Sequence, residues 1–359
     1  MNSGQQKVLF SPASGSTGTG EYYRCLNIAR AMVRRAPELE VHFLLNREAS
    51  VERESDFHYH LIKATPSRAA AEVSGLIEVL RPDLAVFDST GRAKHFRQLK
   101  QQGSRVVWIS NRPGKRRRGF RPRIMSSLHR HVIADAETGR DHLNLYERLL
   151  KRLIGDCRIT FVNAVTPESD PASSVLPDSM ACLPADYALF VSGGGGYEWN
   201  GQAVPEIFVE SASALYQRTG QESVVVLGPQ YQGEVSPMPG VHLVSSLKTG
   251  QLSGLLASAR LCVAGGGYMM SSQVLTTRVP AVLVAVGGRD QPARIRQLAT
   301  QGLVLAAQLS AGNLAEQAER LVRDSALSAR LVSSIERSGI RNDVGLIAER
   351  LLDDLDPID

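Results

Sequence analysis

The chain has 359 residues, of which 43% are hydrophobic and 21% charged; this composition excludes a disordered chain, and the length predicts about two domains. Its longest apolar run, residues 279–286, is far shorter than the roughly 20 residues that span a bilayer, and the N-terminus lacks the apolar segment of a secretory signal. The four cysteines are widely spaced and match no zinc pattern, so we expect free thiols in a reducing, cytoplasmic compartment.

The net charge of +5 is distributed unevenly along the chain. Residues 1–170 carry 28 Lys and Arg against 18 Asp and Glu, whereas the remaining residues carry 13 against 18. The first part is therefore basic and the second acidic. This asymmetry predicts that the N-terminal part faces an anionic partner, for which a phosphorylated substrate, an acidic lipid surface and nucleic acid are the alternatives.

The first half of the chain alternates short apolar runs with amphipathic helices, which predicts a parallel sheet covered on both faces. Helices are predicted at residues 21–35 and 67–80 and between the later strands. The predicted strands are residues 7–14, 41–45, 59–62, 84–88, 105–109, 131–134 and 158–162.

A proline-rich segment separates this half from a second α/β pattern. The predicted organisation is an N-terminal Rossmann-like domain over residues 1–165, a linker over 166–186 and a C-terminal Rossmann-like domain over 187–340. Residues 341–359 are expected to form a helix that packs back towards the first domain. In the second half, strands are predicted at 187–192, 223–227, 241–244, 260–264 and 279–285, and helices at 206–219, 251–257, 268–276, 313–323 and 327–338.

Both predicted domains begin with a strand that runs into glycine. Residues 14–20 read Ser-Gly-Ser-Thr-Gly-Thr-Gly before a helix, and residues 192–196 read Ser-Gly-Gly-Gly-Gly. Such loops let backbone N–H groups approach an anion at a helix N-terminus, although a tight strand-to-helix turn explains one isolated loop equally well. Two loops at equivalent positions favour a ligand in a cleft at the carboxyl ends of both sheets. The candidate contacts are Ser16, Gly18, Gly20, Gly193, Gly194 and Gly195.

A third glycine cluster, Gly265-Gly266-Gly267, precedes a helix, a strand that begins after Pro280 and the pair Asp290-Gln291. This order resembles the C-terminal domain of GT-B glycosyltransferases, particularly those similar to the N-acetylglucosaminyltransferase of lipid II synthesis. The run from Gly20 to Leu26, Gly-Glu-Tyr-Tyr-Arg-Cys-Leu, resembles the UDP-sugar hydrolase of pseudaminic acid synthesis. The resemblance implies an α/β GT-B fold, in which two Rossmann-like domains place parallel sheets across a cleft.

The resemblance also implies roles for individual residues. The glycine turns, including Gly265, Gly266 and Gly267, lie near the diphosphate, with Ser271 or Ser272 as hydroxyl donors. Asp290 and Gln291 accept hydrogen bonds from sugar hydroxyls. Arg289 is expected to be a solvated loop residue, with a contact to phosphate as the alternative. Asp88 is expected to be an N-cap for the next helix, with a position facing the cleft as the alternative. Tyr197 and Trp199 are expected to be either ligand contacts or aromatics packed on their own domain.

Two positions depart from the family pattern. Glu21 stands where both relatives have His, and we expect it to be the catalytic base; the alternative is that it only complements the helix dipole. Gln273 stands where the family has the Glu that holds the ribose hydroxyls, so ribose binding is expected in weaker form or for a different nucleotide. Arg24, one turn after Glu21, is expected to pair with Glu21 or with phosphate.

The segment Arg112–Arg123 has seven basic residues in twelve positions and no acidic one. Its glycines and prolines predict a loop. In a GT-B enzyme this region belongs to the acceptor domain, so the loop would suit an anionic or lipid-linked acceptor or an anionic membrane surface. A solvated loop is the alternative, and nucleic acid is not expected because aromatic residues and recognition motifs are missing.

The function expected from the resemblance is that of an inverting, metal-independent glycosyltransferase. It would move a sugar from a nucleotide-diphospho-sugar to an acceptor in a cell-envelope polysaccharide or secondary glycoconjugate pathway. The expected donor is a UDP-sugar. No cofactor is expected beyond this co-substrate, because no Asp-x-Asp or histidine pattern is placed to hold a metal. Two alternatives are a nucleotide-sugar hydrolase that uses water and a non-catalytic nucleotide-sugar-binding protein. The expected location is cytoplasmic, with peripheral contact at the inner face of the membrane.

Overall fold

The computed structural model describes residues 5–13, 19–49, 51, 53–134, 141–168 and 183–356, which form two compact units. Unit 1 extends to Val165 and resumes at Asn342, whereas unit 2 is the continuous segment Thr166–Arg341. Ser16 and Gly18, two predicted site residues, and residues 169–182 of the predicted linker lie outside the described residues. Within the described part of the chain, no helix has the length and apolar character needed to cross a bilayer.

Unit 1 contains a seven-stranded sheet of order β3-β2-β1-β4-β5-β6-β7, in which all neighbouring strands are parallel. The strands are β1 (Lys7–Pro12), β2 (Glu40–Asn46), β3 (His58–Ile62), β4 (Leu84–Asp88), β5 (Arg105–Ser110), β6 (Arg130–Ala134) and β7 (Arg158–Val162). The helices between them are α1 (Gly20–Arg35), α2 (Ala70–Leu80), α3 (Ala93–Gln101), α4 (Pro113–Gly119), α5 (Pro122–Met125) and α6 (Leu145–Ile154).

Both faces of this sheet are buried, because successive residues of a strand point to opposite sides and crossover helices cover each side. Phe10 and Phe43 pack with α1 in one hydrophobic core. Leu9 and Phe87 pack in a second core together with residues of α2 and α3. The near-continuous burial of these strands explains why their sequences read as apolar runs without polar alternation.

The basic segment that was expected to form a loop is helical. Arg112 is followed by α4, and α5 begins directly after Arg121. The prediction was wrong because Pro113 and Pro122 occupy first-turn positions, where the missing N–H and fixed φ of proline favour a helix start. The helices hold the arginines of this segment on a fixed backbone.

Unit 2 contains a six-stranded parallel sheet of order β12-β11-β8-β13-β14-β15 and a two-stranded antiparallel hairpin. The strands are β8 (Ala188–Val191), β9 (Glu198–Trp199), β10 (Gln202–Ala203), β11 (Ser223–Val226), β12 (Val241–Val244), β13 (Leu261–Gly265), β14 (Ala281–Val284) and β15 (Leu305–Ala307). The helices are α7 (Val204–Thr219), α8 (Thr249–Ser258), α9 (Tyr268–Thr277), α10 (Gln291–Thr300), α11 (Ala311–Arg323) and α12 (Ser325–Ser338).

The last helix, α13 (Val344–Asp353), belongs to unit 1. Its buried residues Ile347 and Leu351 pack in the same core as Ile28 and Met32 of α1. The chain therefore leaves unit 1 after β7, forms unit 2, and returns to complete the first core.

Candidate functional site

The strand order of unit 1 places a candidate site between β1 and β4. The chain moves from β1 outwards to β2 and β3, then resumes on the other side of β1 at β4. Ligands of such sheets bind at the carboxyl ends of the strands where the order reverses. There, Ser89 follows β4 with φ 59° and Gly91 has φ 97°. A left-handed serine is unusual and costs backbone strain, which is frequent at functional sites.

Arg24 and Asp88 form a fully buried ion pair at this switch point. The Nε of Arg24 donates to Oδ2 of Asp88 and Nη2 donates to Oδ1, each over 2.7 Å, and both side chains are 0% exposed. This bidentate geometry gives Arg24 the partner Asp88 and corrects one expectation: Asp88 does not cap α3, whose N-cap residue is Arg92. The pair instead fixes the start of α1 against the end of β4.

Cys25, next to Arg24, is part of the same buried cluster. Its Sγ lies 3.9 Å from Oδ2 of Asp88, and burial, followed by the charge of Asp88, raises the pKa of the thiol well above its ordinary value. The thiol therefore stays protonated and unreactive at neutral pH. Arg24 and Cys25, which carry the resemblance to the hydrolase, thus have structural roles in unit 1.

Glu21 lies in the first turn of α1 and is 8% exposed. Its Oε1 accepts a hydrogen bond from Nη2 of Arg112 over 2.7 Å. Arg112 precedes α4, and its side chain is 41% exposed. Gly20 is the first residue of α1, so Glu21, the predicted base, directly follows the last glycine of the glycine-rich segment. A carboxylate held by an exposed arginine at the edge of a switch point is a geometry that suits a base acting on a bound hydroxyl.

A cavity of about 400 Å³ opens beside Arg112. The cavity is lined by Ser110, Asn111, Arg112, Pro113, Arg116, Arg117, Phe120, Ile133, His142, Asn144, Tyr146 and Glu147. The Oγ of Ser110 lies 2.9 Å from His131 Nε2. Burial, together with the charge of Arg116, lowers the pKa of His131 to about 3, so this imidazole is neutral at pH 7. The cavity offers hydrogen-bonding, charged and apolar groups to a ligand.

In unit 2 the strand order reverses between β8 and β13; β8 is followed by Ser192 and Gly193, and β13 ends at Gly265. Gly193 and Gly195 have φ of 105° and 83°, and a Cβ on Gly195 would lie 2.6 Å from the Leu227 carbonyl oxygen. The amide of Gln230 donates to the Gly194 carbonyl over 2.9 Å. The positive φ values of Gly193 and Gly195 and the close approach at Gly195 therefore require glycine at these two positions of the turn.

The second glycine segment lies against the first. A Cβ on Gly265 would be 2.9 Å from the Ser192 carbonyl oxygen, so a side chain at this position would separate the two segments. Gly266 is also tightly packed, whereas a Cβ on Gly267 would have no atom within 4 Å. Gly267 is the N-cap residue of α9. Open space at a helix N-terminus, between two glycine turns, is the geometry of an anion site.

Two predicted serines lie in α9 directly behind Gly267. Ser271 and Ser272 are each 2% exposed. Among the described residues, Ser271 Oγ has no hydrogen-bond partner. A buried hydroxyl without a partner costs free energy unless a ligand or water satisfies it.

The other predicted ligand contacts of unit 2 are engaged within the protein. The side-chain amide of Gln273 donates to Ser253 Oγ over 3.4 Å, and Gln273 is 4% exposed. Oε1 of Gln291 accepts from the Val286 amide over 2.8 Å, and Oδ2 of Asp290 pairs with Arg294 over 2.8 Å. These contacts hold α9 and the β14–α10 loop in place.

Arg294 is a site residue that the sequence analysis missed. It is 3% exposed, its Nη1 donates to the Gly266 carbonyl over 3.3 Å, and its guanidinium carbon lies 5.7 Å from the ring centroid of Tyr268. Arg294 thereby connects α10 to the glycine turn before α9. Its spacing of four residues from Asp290 on a helix was the available signal.

The aromatic and charged residues around the β8 loop either pack on unit 2 or are exposed to solvent. A Cβ on Gly287 would lie 2.4 Å from Tyr197, so Tyr197 packs on its own unit. Trp199 is 50% exposed in the β9–β10 hairpin, and Arg289 is exposed. Within the described ranges, no group of three or more His, Cys, Asp or Glu side chains is placed to hold a metal ion.

No protein-family model and no curated protein sequence matches the chain. Solved structures, in contrast, are similar to the chain over nearly its whole length. The spinosyn forosaminyltransferase SpnP is similar with a TM-score of 0.69 and 16% identity, covering 98% of this chain and 100% of that chain. The calicheamicin glycosyltransferase CalG4 is similar with a TM-score of 0.65 and 17% identity, covering 99% of each chain. UGT2 of Phytolacca americana, complexed with UDP-2fluoro-glucose and pterostilbene, has a TM-score of 0.68 and 9% identity, covering 98% of this chain and 99% of that chain. These similarities confirm the predicted α/β GT-B fold with two parallel-stranded Rossmann-like sheets.

Proposed function

We propose that this chain is an inverting, metal-independent glycosyltransferase that transfers a sugar from a nucleoside-diphospho-sugar to an acceptor hydroxyl. The observation that carries the proposal is the pair of adjoining glycine segments at the switch point of unit 2, with open space at the N-terminus of α9. We assign the donor to unit 2. Solved structures of similar fold contain such nucleotides, DTDP in VinC and UDP-2fluoro-glucose in UGT2, which supports a pyrimidine nucleotide and makes UDP-sugars the first donors to test.

The donor would be held mainly by backbone groups. Amides of Gly193–Gly195 and Gly267 and the dipole of α9 would stabilise the negative charge that develops on the departing diphosphate. Ser271 would donate its unpartnered hydroxyl to a phosphoryl oxygen. Asp290 and Gln291, which we predicted to contact the sugar, would act at least in part by fixing the loop before α10. Gln273 donates its side-chain amide to Ser253 Oγ, so its Oε1 is the atom that would accept from the ribose hydroxyls, in weaker form than the Glu of the family.

The acceptor is assigned to unit 1. Glu21 would take the proton of the acceptor hydroxyl as that oxygen attacks the anomeric carbon, and attack on the face opposite the diphosphate gives inversion. Arg112 would orient the Glu21 carboxylate. The basic residues of segment 112–123 support an anionic or lipid-linked acceptor, peripheral contact with the inner face of a membrane and a place in cell-envelope or secondary glycoconjugate synthesis.

Hydrolysis of the nucleotide-sugar is the second candidate. The run from Gly20 to Leu26 favours it, and Glu21 could act on water as well as on a hydroxyl. The buried contacts of Arg24 and Cys25 explain these two residues without reference to either reaction. They therefore do not favour hydrolysis over transfer, and the resemblance to the lipid II enzyme group stays the first basis for choosing acceptors.

The replacement Glu21→Gln tests the base. It keeps the size of the side chain and an oxygen that can accept from Arg112, but it cannot take a proton at neutral pH. We expect kcat to fall about 10²- to 10⁴-fold while the Kd of the donor stays within about threefold. Glu54→Gln is the matched control, because Glu54 also pairs with an arginine of unit 1, Arg30, over 2.6 Å. This control should retain wild-type kcat.

The assay follows release of nucleoside diphosphate from a panel of UDP- and dTDP-sugars, with and without acceptor alcohols. Release of free sugar at the full rate without acceptor would establish the hydrolase instead. Unchanged kcat in Glu21→Gln would remove Glu21 from the mechanism. Nucleotide binding without turnover of any donor would indicate a binding protein.

A further inference from the structure

An open groove of unit 1 lies along α4 and α5 and has a volume of about 940 Å³. We call it the α4–α5 groove. The charged residues that line it are Arg92, Arg112, Lys115, Arg118, Arg121 and Arg123, and the other lining residues are uncharged. Six cations and no carboxylate therefore face one space.

Three of these cations are fixed by carbonyl oxygens. Arg92 Nε donates to the Ser67 carbonyl over 2.6 Å, Lys115 Nζ donates to the Ser89 carbonyl over 2.6 Å, and Arg118 donates to the Gly91 carbonyl. A carbonyl accepts the hydrogen bond but does not neutralise the charge. In the described part of the chain, Arg112 pairs with Glu21, and the other five make no ion pair with a carboxylate.

The fixed cations repel one another. Burial lowers the pKa of Lys115, and the neighbouring Arg118 and Arg112 lower it further, while Glu21 and Asp88 act in the opposite direction. Burial likewise lowers the pKa of Arg118, with contributions from Arg121 and Arg92. A bound anion would remove this repulsion. The fold thus holds like charges together in a place where a ligand of opposite charge would stabilise them.

We infer that the α4–α5 groove binds a phosphoryl group, and that a diphosphate fits it better than a single phosphate. Guanidinium groups match phosphoryl oxygens in bidentate geometry, and five cations without a carboxylate partner exceed what one carboxylate or one monoanion can neutralise. Arg112 lines the groove and also holds Glu21. A phosphorylated ligand in the groove would therefore place its neighbouring hydroxyls towards the Glu21 carboxylate. The role of this group as the anchor of the acceptor rests on the proposed function, whereas the binding of the anion does not.

The test uses calorimetric titration of the full chain with inorganic pyrophosphate and with inorganic phosphate at constant ionic strength. The variant is Arg121→Gln with Arg123→Gln, because both side chains are exposed and their removal leaves the fixed cations in place. The control is Arg47→Gln with Lys63→Gln, two exposed cations of unit 1 outside the groove, which gives the same change in net charge. We expect tighter binding of pyrophosphate than of phosphate, weakened at least about tenfold in the groove variant and unchanged in the control.

A pyrophosphate site at the glycine turns of unit 2 would persist in all three proteins, so it cannot produce a loss confined to the groove variant. Equal weakening in variant and control, or no weakening in either, would overturn the inference. Co-sedimentation with vesicles distinguishes the sources of the phosphoryl group. If the protein binds vesicles that contain phosphatidylglycerol but not vesicles of pure phosphatidylcholine, and pyrophosphate displaces it, the ligand is a lipid head group. If the protein binds pyrophosphate but no vesicles, the ligand is a soluble molecule. Vesicle binding that pyrophosphate does not displace would contradict the groove as the site.

Turnover separates the two proposals. If the groove variant loses pyrophosphate but still transfers sugar to an uncharged acceptor, the proposed function stands and the groove serves charged acceptors. If no donor is turned over, the loss of pyrophosphate in the variant still establishes the groove as an anion site.

Discussion

Arg24 is fully buried although arginine is among the residues least often found inside a protein. Its cost of burial is offset by the two short hydrogen bonds to Asp88, which is equally buried. The pair connects the first turns of α1 to the end of β4, and so it supports the backbone on which Glu21 and the strained Ser89 stand. Breaking one side of such a pair leaves a buried charge without its partner.

We expect Asp88→Asn to destabilise unit 1 by about 3–5 kcal/mol, because the amide cannot neutralise the guanidinium of Arg24. Urea denaturation followed by circular dichroism measures this loss. The control is Glu319→Gln, which removes the charge from the surface pairs of Glu319 with Arg323 and Arg218 and should leave the free energy of unfolding nearly unchanged. A loss of the same small size in both variants would show that the buried pair adds no more stability than a surface pair.

At the residue scale, the sequence identified candidate site residues but not the residues that contact them. Glu21 was identified because it stands where the resembling families have a His, but its partner Arg112 lies 91 residues away, and no local pattern reports such a contact. Asp88 was interpreted as an N-cap because strand-end aspartates often cap the next helix; the turn through Ser89 and Gly91 instead directs it to Arg24. Burial of polar side chains, as in Gln273 and Arg294, depends on packing that periodicity does not specify.

At the scale of elements, the clearest coupling is between α13 and the sheet of unit 1. Asp354 follows α13 directly and is fully buried. Its Oδ1 accepts from Arg130 over 2.6 Å and from Arg158 over 3.1 Å, and His129 Nε2 lies 3.0 Å away. Burial raises the pKa of Asp354, but the hydrogen bonds from Arg130 and His129 and their charges outweigh it and lower the pKa to about 2.

This lowered pKa makes the attachment of α13 sensitive to acid. The folded-state pKa of about 2 lies below the ordinary value of 3.8, so the stabilisation is complete above about pH 4 and is lost as the pH falls towards 2. The lost stability amounts to about 2 kcal/mol. The buried histidines His95 and His131, with pKa values lowered to about 4 and about 3 by burial, add their own acid dependence. We therefore expect the difference in unfolding free energy between wild type and Asp354→Asn to shrink between pH 4 and pH 2.

Denaturation curves at half-unit pH steps provide the measurement. Asp354→Asn should be less stable than wild type at pH 6, because Arg130 is buried and loses its counter-charge. A constant difference from pH 6 to pH 2 would contradict the assignment of the acid sensitivity to Asp354.

Several strands were predicted with their observed bounds. The fully buried β4 occupies residues 84–88 and the partly buried edge strand β12 occupies residues 241–244, as their apolar runs predict. The hairpin of β9 and β10 was missed because each strand has two residues, and β15 because it has three. The helices α4 and α5 were missed because proline and glycine were read as loop formers, although proline also begins helices.

At the scale of the whole molecule, the chain retains a GT-B fold at 16% identity to SpnP with coverage of both chains close to complete. At that distance the fold is shared although most residues differ. The sequence therefore predicted the fold class through local periodicity and resemblance. The closure of unit 1 by a helix more than 300 residues from α1 could be expected only by analogy, because it is a long-range contact.

The discontinuity of unit 1 leads to a prediction about fragments. Unit 2 is one continuous segment with its own core, so the fragment 166–341 should fold alone, whereas the fragment 1–165 lacks α13 and should expose Ile28 and Met32 of α1. If the donor binds in unit 2, UDP at a hundred times its Kd should stabilise the fragment 166–341 by about 2.7 kcal/mol.

Calorimetric unfolding with and without UDP or dTDP measures both effects, with Gly267→Ala as the variant. A methyl group at Gly267 meets no protein atom within 4 Å, so it should change the stability of the unliganded fragment by no more than about 1 kcal/mol, the cost of alanine at an N-cap. It would occupy the space in front of the helix amides and should therefore reduce the stabilisation by nucleotide. A fragment 166–341 that folds but gains no stability from either nucleotide, or gains it equally in Gly267→Ala, would show that the glycine turn before α9 is not where the diphosphate binds.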